Sequence, residues 1–125
     1  MSTTVFDVLN RFRAEVPHFI STDLVEIDSG MSIAGGSIDP NFDSSVASAS
    51  FAEVVKSNSR ALDLLGVGAN STEDILITTT NAYVLIRMVG RNHYLGLALS
   101  RQGTLGFARA LMTKYTPLLL QVLPG

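Results

Sequence analysis

At 125 residues the chain has the length of one domain, and its 46% hydrophobic content is enough to bury a core. Charged residues are only 16%, against roughly 25% in an average soluble protein, so part of a charge-poor surface is expected to be hidden in an oligomer. A net charge of −2 with scattered Lys and Arg excludes the basic stripe of a nucleic-acid binder, and the lack of cysteine excludes disulfides, thiolate metal sites and a cysteine nucleophile.

The stretch Met1 to Asp7 lacks the basic and then apolar regions of a signal peptide. The longest apolar run, Leu118 to Leu123, is broken by Gln121 and is far short of the roughly 20 residues a membrane helix needs. A cytoplasmic domain without membrane insertion is expected.

In chain order, residues 4–16 place Val5, Phe6, Val8, Leu9, Phe12 and Val16 at helical spacing, with Pro17 as the stop. His18 to Asp28 is expected to be extended, Val25 and Ile27 alternating with Glu26 and Asp28. Asp28-Ser29-Gly30 signals a tight turn, and Met31 to Ile38 returns as the second arm of a hairpin whose far end Gly35-Gly36 blunts. Asp39-Pro40-Asn41-Phe42-Asp43 is expected to open a long helix, with Asp39 or Asp43 as cap and Pro40 in its first turn. That helix runs to Leu65 and ends at Gly66 in the left-handed conformation. After the loop 68–72 come three strand-like runs, Asp74–Thr79, Tyr83–Val89 and His93–Leu99. Thr80-Asn81, Gly90-Arg91-Asn92 and Arg101-Gln102-Gly103 punctuate them as turns. A last helix spans Thr104 to Leu123, where Pro117 is expected to kink it or divide it in two. The fold class is α+β: order α-β-β-α-β-β-β-α, one domain over 1–125, with a five-stranded antiparallel sheet and helices on both faces.

On a helical wheel of residues 46–65, Glu53, Lys56, Arg60 and Asp63 gather on one narrow side. Val46, Ala47, Phe51, Val54, Val55, Ala61, Leu62, Leu64 and Leu65 cover about half the circumference, where packing on one sheet needs an arc of only about 100°. Ser50, Ser57 and Asn58 lie within the surplus arc. A central helix, with Asn58 satisfied by nearby backbone, would explain the width. The low charge content favours a second explanation, in which part of the arc meets a partner's copy.

Catalytic groups are thin. His18 and His93 are the two histidines, and no H-E-x-x-H, G-x-S-x-G or G-x-x-x-x-G-K-[ST] pattern occurs. Gly30, Gly35, Gly36, Gly66 and Gly68 do not make a phosphate-cradling loop between a strand and a helix. Asp23, Glu26 and Asp28 read as a solvated strand face, Asp39 and Asp43 as helix caps. The serines between 44 and 59 stand near no expected base, and metal-ligand spacing is absent. No catalytic residue, cofactor or metal is expected, and the chain reads as a binding protein rather than an enzyme.

The tract Asp74-Ile75-Leu76-Ile77-Thr78-Thr79-Thr80-Asn81-Ala82-Tyr83-Val84-Leu85-Ile86-Arg87, continued by Tyr94-Leu95-Gly96-Leu97-Ala98-Leu99 and Leu105-Gly106-Phe107-Ala108-Arg109, resembles the Roadblock/LC7 family. The hairpin Val25 to Ala34 and Asp39-Pro40-x-Phe42-Asp43 also fit, so the resemblance spans nearly the whole chain. The serines at 44, 45, 48 and 50 depart from it, where similar proteins carry more alanine and charge.

The resemblance implies a homodimer, or a higher oligomer, joined through the third strand and through antiparallel pairing of the long helices. Carried to this chain, the interface comprises Phe51, Val54, Val55, Asn58, Leu62, Ile75, Leu76 and Ile77. Bacterial members bind small Ras-like GTPases and regulate their switch loops, as in gliding-motility polarity systems; eukaryotic ones act as dynein light chains or scaffolds. A GTPase is expected on the solvent side of the paired helices, at Ser48, Ala52, Lys56, Ser59 and Asp63. A non-catalytic scaffold is the nearest alternative. Five antiparallel strands flanked by helices also describe PAS- and GAF-like small-molecule sensors, but few polar residues are expected to face inward as a ligand cavity requires.

Overall fold

Thr4 caps the first helix, α1 (Val5–Glu15), in a reciprocal box: its hydroxyl accepts from the Asp7 amide at 3.2 Å and the Asp7 carboxylate accepts from the Thr4 amide at 2.9 Å. In this computed structural model, which describes residues 3–123, Met1 and Ser2 of the N-terminal stretch lie outside the described residues. Strand β1 (Phe19–Glu26) and β2 (Ser32–Ser37) form the expected hairpin, turned by Gly30 at φ 71°. A single 3-10 turn (Ser44–Ala47) precedes α2 (Ser48–Leu64), and β3 (Ile75–Thr78), β4 (Ala82–Val89), β5 (His93–Ser100) and α3 (Leu105–Val122) complete the chain.

The strands make one antiparallel sheet in the order β2-β1-β5-β4-β3. The hairpins alone leave β1 and β5 unrelated. Their pairing, Leu24 opposite Leu95 and Val25 opposite Tyr94, closes the sheet and puts β3 at its free edge. Strand alternation sends Leu24, Leu85, Leu95, Leu97 and Leu99 to the face covered by α1 and α3, where they pack with Phe12, Met112, Tyr115 and Leu119. Val25, Ile86 and Tyr94 go to the opposite face and meet Ala52 and Val55 of α2.

Two expectations are corrected. The long helix does not start at Asp39 or Pro40. The Asp39 carboxylate accepts from the Asn41 amide at 2.9 Å and Asp43 caps the 3-10 turn through the Ser45 amide at 3.0 Å, so short polar side chains hold residues 39–43 in turns. Pro117 does not divide the last helix, which runs unbroken from Leu105 to Val122 with Pro117 on its exposed side. The C-terminus of α2 follows expectation: Gly66 has φ 73°, and the Gly66 and Val67 amides bond back to Asp63 and Leu62. Among the described residues no helix is long and apolar enough to cross a membrane.

Candidate functional site

Helix α2 covers only part of its face of the sheet. Ser48, Ala52 and Val55 point down at β1 and β5 and are buried. On the flank towards β4 and β3, Phe51 and Leu62 are half-buried and Val54 is 39% exposed, while Val46 and Leu65, at either end, are 81% and 74% exposed. Below this flank Ile75, Ile77, Val84 and Met88 are only partly covered. Past them lies the outer edge of β3, which pairs with β4 on its inner side alone and so presents a row of backbone donors and acceptors. The opposite flank carries Glu53, Lys56, Arg60 and Asp63, with Lys56 Nζ 3.3 Å from Glu53 Oε1 and Arg60 Nη2 donating to Ser57 Oγ at 3.0 Å. The helix is therefore apolar towards the sheet edge and charged towards the hairpin.

At the start of α2 the apolar flank opens into a groove of about 410 Å³, floored by Ser21, Asp23, Val84, Gly96 and Ala98 and walled by Phe42, Asp43, Val46 and Phe51. Tyr94 crosses its inner end and donates from its hydroxyl to the Ser48 carbonyl at 3.0 Å. Burial, with the nearby Asp23 charge, holds that phenol well above the usual tyrosine range. Asp23 is 3% exposed, and burial pushes its carboxyl up to about 6, with help from the Asp43 charge and against the hydrogen bonds that the Ser32 hydroxyl and the Leu24 backbone offer it. Ser32 Oγ donates to Asp23 Oδ1, whereas Oδ2 is buried with no hydrogen-bond partner among the described residues. A Cβ at Gly35 would fall 2.7 Å from the Thr22 carbonyl and 2.9 Å from Asp23 Oδ1, so this glycine makes room for the carboxyl against the hairpin.

No protein-family model matches the chain, and no curated protein matches it in sequence. Solved structures do. MglB from Myxococcus xanthus superposes at a TM-score of 0.85 with 17% identity, over 94% of this chain and 86% of that one. The chain has a Roadblock/LC7-like fold. A Roadblock/LC7 domain from Streptomyces avermitilis matches at 0.78 with 14% identity, over 94% of this chain and 95% of that one. An MglB with tetrameric arrangement matches at 0.83 with 14% identity, over 98% and 92% respectively.

Within the Roadblock/LC7-like fold the expected interface residues divide. Phe51, Val54, Leu62, Ile75 and Ile77 share the open side between α2 and β3. Val55 is 4% exposed and belongs to its own protomer's core, and Leu76 points to the other face, against the α1–α3 cluster. Asn58 is spent internally, its Nδ2 donating to Thr72 Oγ1 at 2.7 Å to tie α2 to the loop before β3.

Ser48 and Ala52 do not lie on a solvent-facing docking surface. Both are buried under α2, Ser48 Oγ donating to the Gly30 carbonyl at 2.8 Å and the Ser45 carbonyl at 2.9 Å. A helical wheel gives the width of the apolar arc but not which part of it meets the sheet, and the sheet lies under Ser48, Ala52 and Val55. Lys56 and Asp63 do reach the charged flank, and Ser59 is half-buried beside it. Nor is Asp23 part of a solvated strand face. Glu26 and Asp28 are exposed, but Asp23 shares the α2 side of β1 with Val25. The period-two pattern held this signal, since residues 23 and 25 must share a face.

Neither His18 nor His93 makes a side-chain hydrogen bond among the described residues, and no three potential metal ligands cluster there. Among the described residues the hydroxyl–carboxylate pairs Ser32–Asp23 and Ser45–Asp43 are joined to no imidazole.

Proposed function

We propose that the chain works as a single non-catalytic regulatory module that pairs with a second copy of itself and, as a dimer, binds a small Ras-like GTPase in the cytoplasm. The observation that carries this reading is the uncovered apolar surface running from Val46 and Phe51 through Val54 and Leu65 to Ile75 and Ile77 at the free edge of β3. A second copy related by a two-fold axis would bring the same surface to it, covering the α2 flank and pairing the β3 edges in one step. The tetrameric arrangement of one MglB fits assembly beyond a dimer.

The GTPase half of the reading rests on the Asp74–Arg109 resemblance and on the mixed flank of Glu53, Lys56, Arg60 and Asp63, which self-association through the apolar flank leaves in solvent. Opposed charges at an exposed rim suit a transient contact better than an obligate one. Light scattering combined with titration of a GTPase in its GTP and GDP states tests both halves. A monomer at micromolar concentration would end the dimer reading, and a dimer indifferent to both nucleotide states would end the GTPase reading.

A further inference from the structure

The groove at the start of α2 has a chemical asymmetry that self-association does not use. Its wall is mostly apolar, made by Phe42, Val46 and Phe51, yet its polar end holds the Asp23 and Asp43 carboxylates, and among the described residues no lysine, arginine or histidine lines it. Asp23 Oδ2 is buried there with no partner among the described residues, although burying a charge without compensation is among the costliest arrangements a fold can keep. The volume of about 410 Å³ lies within the range of sites for small organic molecules.

We propose that this groove is a binding site for a small organic amine, whose apolar body lies against Phe42, Val46 and Phe51 and whose protonated nitrogen pairs with the Asp23 carboxylate at the polar end. Three features converge on that class of ligand. The unpartnered oxygen accepts hydrogen bonds, so the ligand donates. Asp43 adds a second negative charge at that end of the groove, so the site favours a cation over an anion. The Ser32 hydroxyl and the space left by Gly35 hold the carboxyl in place before anything arrives, so little order is lost on binding. The Asp23 carboxyl is largely ionised above neutral pH, where an alkylamine is still protonated. The site is separate from the charged flank of α2. It meets the dimer surface at Val46 and Phe51, so an occupant would touch residues that also feel the partner.

Phenethylamine, phenethyl alcohol and hydrocinnamate share one apolar body and differ in the head group, which makes them a matched set of probes. Titrated into the isotopically labelled full chain, phenethylamine is expected to shift the amide resonances of Ser44, Gly96 and Ala98 saturably. The alcohol and the acid are expected to bind about tenfold more weakly or worse. Asp23→Asn keeps the shape and the Ser32 contact and is expected to erase the advantage of the amine, leaving the three probes alike. Should Asp23→Asn fail to fold, Asp43→Asn, on the exposed rim, is expected to weaken the amine several-fold and leave the alcohol unchanged. Phe42→Ala is expected to weaken all three. Absence of a saturable shift, equal binding of the three probes, or an amine indifferent to the carboxylate variant would each overturn the proposal. So would groove resonances that move with protein concentration but not with amine, since the occupant would then be a second copy of the chain.

Discussion

The Tyr94 hydroxyl donates to the carbonyl of Ser48, the first residue of α2, across 3.0 Å of buried space. This bond ties the central strand to the point where the 3-10 turn becomes α2. Tyr94→Phe keeps the ring and deletes the donor. The expected outcome is a loss of about 1–2 kcal/mol in urea unfolding, with the m-value unchanged. A variant as stable as the parent would show that the bond does not hold the helix start.

Val54 and Val55 are neighbours with different fates. Val54 is 39% exposed on the open flank and Val55 is 4% exposed in the protomer core. Val54→Asp is therefore expected to give a folded monomer near 13.4 kDa by light scattering, because its charge is unpaired only when a partner covers it. Val55→Asp is expected to unfold the protomer itself, at a cost of several kcal/mol. If Val54→Asp stays dimeric with unchanged melting, the α2 flank is not the interface.

The β3 edge permits an independent check. Proline at Ile77 or at Leu76 removes one strand donor; whichever of the two amides faces outward is expected to weaken the dimer while sparing the β3–β4 pairing. Sedimentation of both variants distinguishes the positions, and two unaffected dimers would place the edge outside the contact.

Asp74 anchors a charge network. Its Oδ2 lies 2.9 Å from Arg109 Nε and 3.7 Å from Arg87 Nη2, linking the residue before β3 to α3 and β4. Asp74→Ala leaves two cations facing each other, Arg87 largely buried, and is expected to cost about 3 kcal/mol. Arg109→Ala, which removes the more exposed partner, is expected to cost less, so equal losses in thermal and urea unfolding would refute this ranking.

The Asp23 carboxyl sets a pH dependence with a defined sign. Between its ordinary value of 3.8 and about 6 the folded chain holds a proton that the unfolded chain releases, so stability falls as pH rises through that window and levels off above it. The ceiling on this effect is about 3 kcal/mol, from roughly two pKa steps at 1.36 kcal/mol each. Asp43 and Glu15, both held below the usual carboxylate range, act in the opposite sense, losing their contribution as pH falls, but they are exposed and solvent screens them. Asp23→Asn should remove the downward slope in urea unfolding followed from about pH 4 to about pH 7.

Periodicity made most of the architecture legible. Strand-length apolar runs in Asp74–Thr79, Tyr83–Val89 and His93–Leu99, alternation in Val25–Asp28, helical spacing in Val5–Phe12 and the punctuation at Pro17, Gly30, Gly66 and Gly90 yield element order, the hairpins and the antiparallel sheet, because these signals act within a few residues. The width of the apolar arc on α2 was legible too, since it depends only on composition around one helix. Three things depended on the folded chain. The pairing of β1 with β5 is a contact between segments some seventy residues apart, which no local pattern encodes. The rotation of α2 about its own axis, which buries Ser48 and Ala52 and leaves Asp63 outward, follows from packing against distant segments: the Ser48 hydroxyl donates to the Gly30 carbonyl, the Ser48 carbonyl accepts from Tyr94, and the turn comes so close that a Cβ at Gly30 would lie 2.8 Å from Ala49 Cβ. And Asp23, which looks like any charge on a strand, is buried only because β5 on one side and β2 on the other enclose it beneath the start of α2. Local sequence determines what each segment is. Which side of it meets another segment is decided by long-range packing, where a few ångströms separate a solvated carboxylate from a buried one.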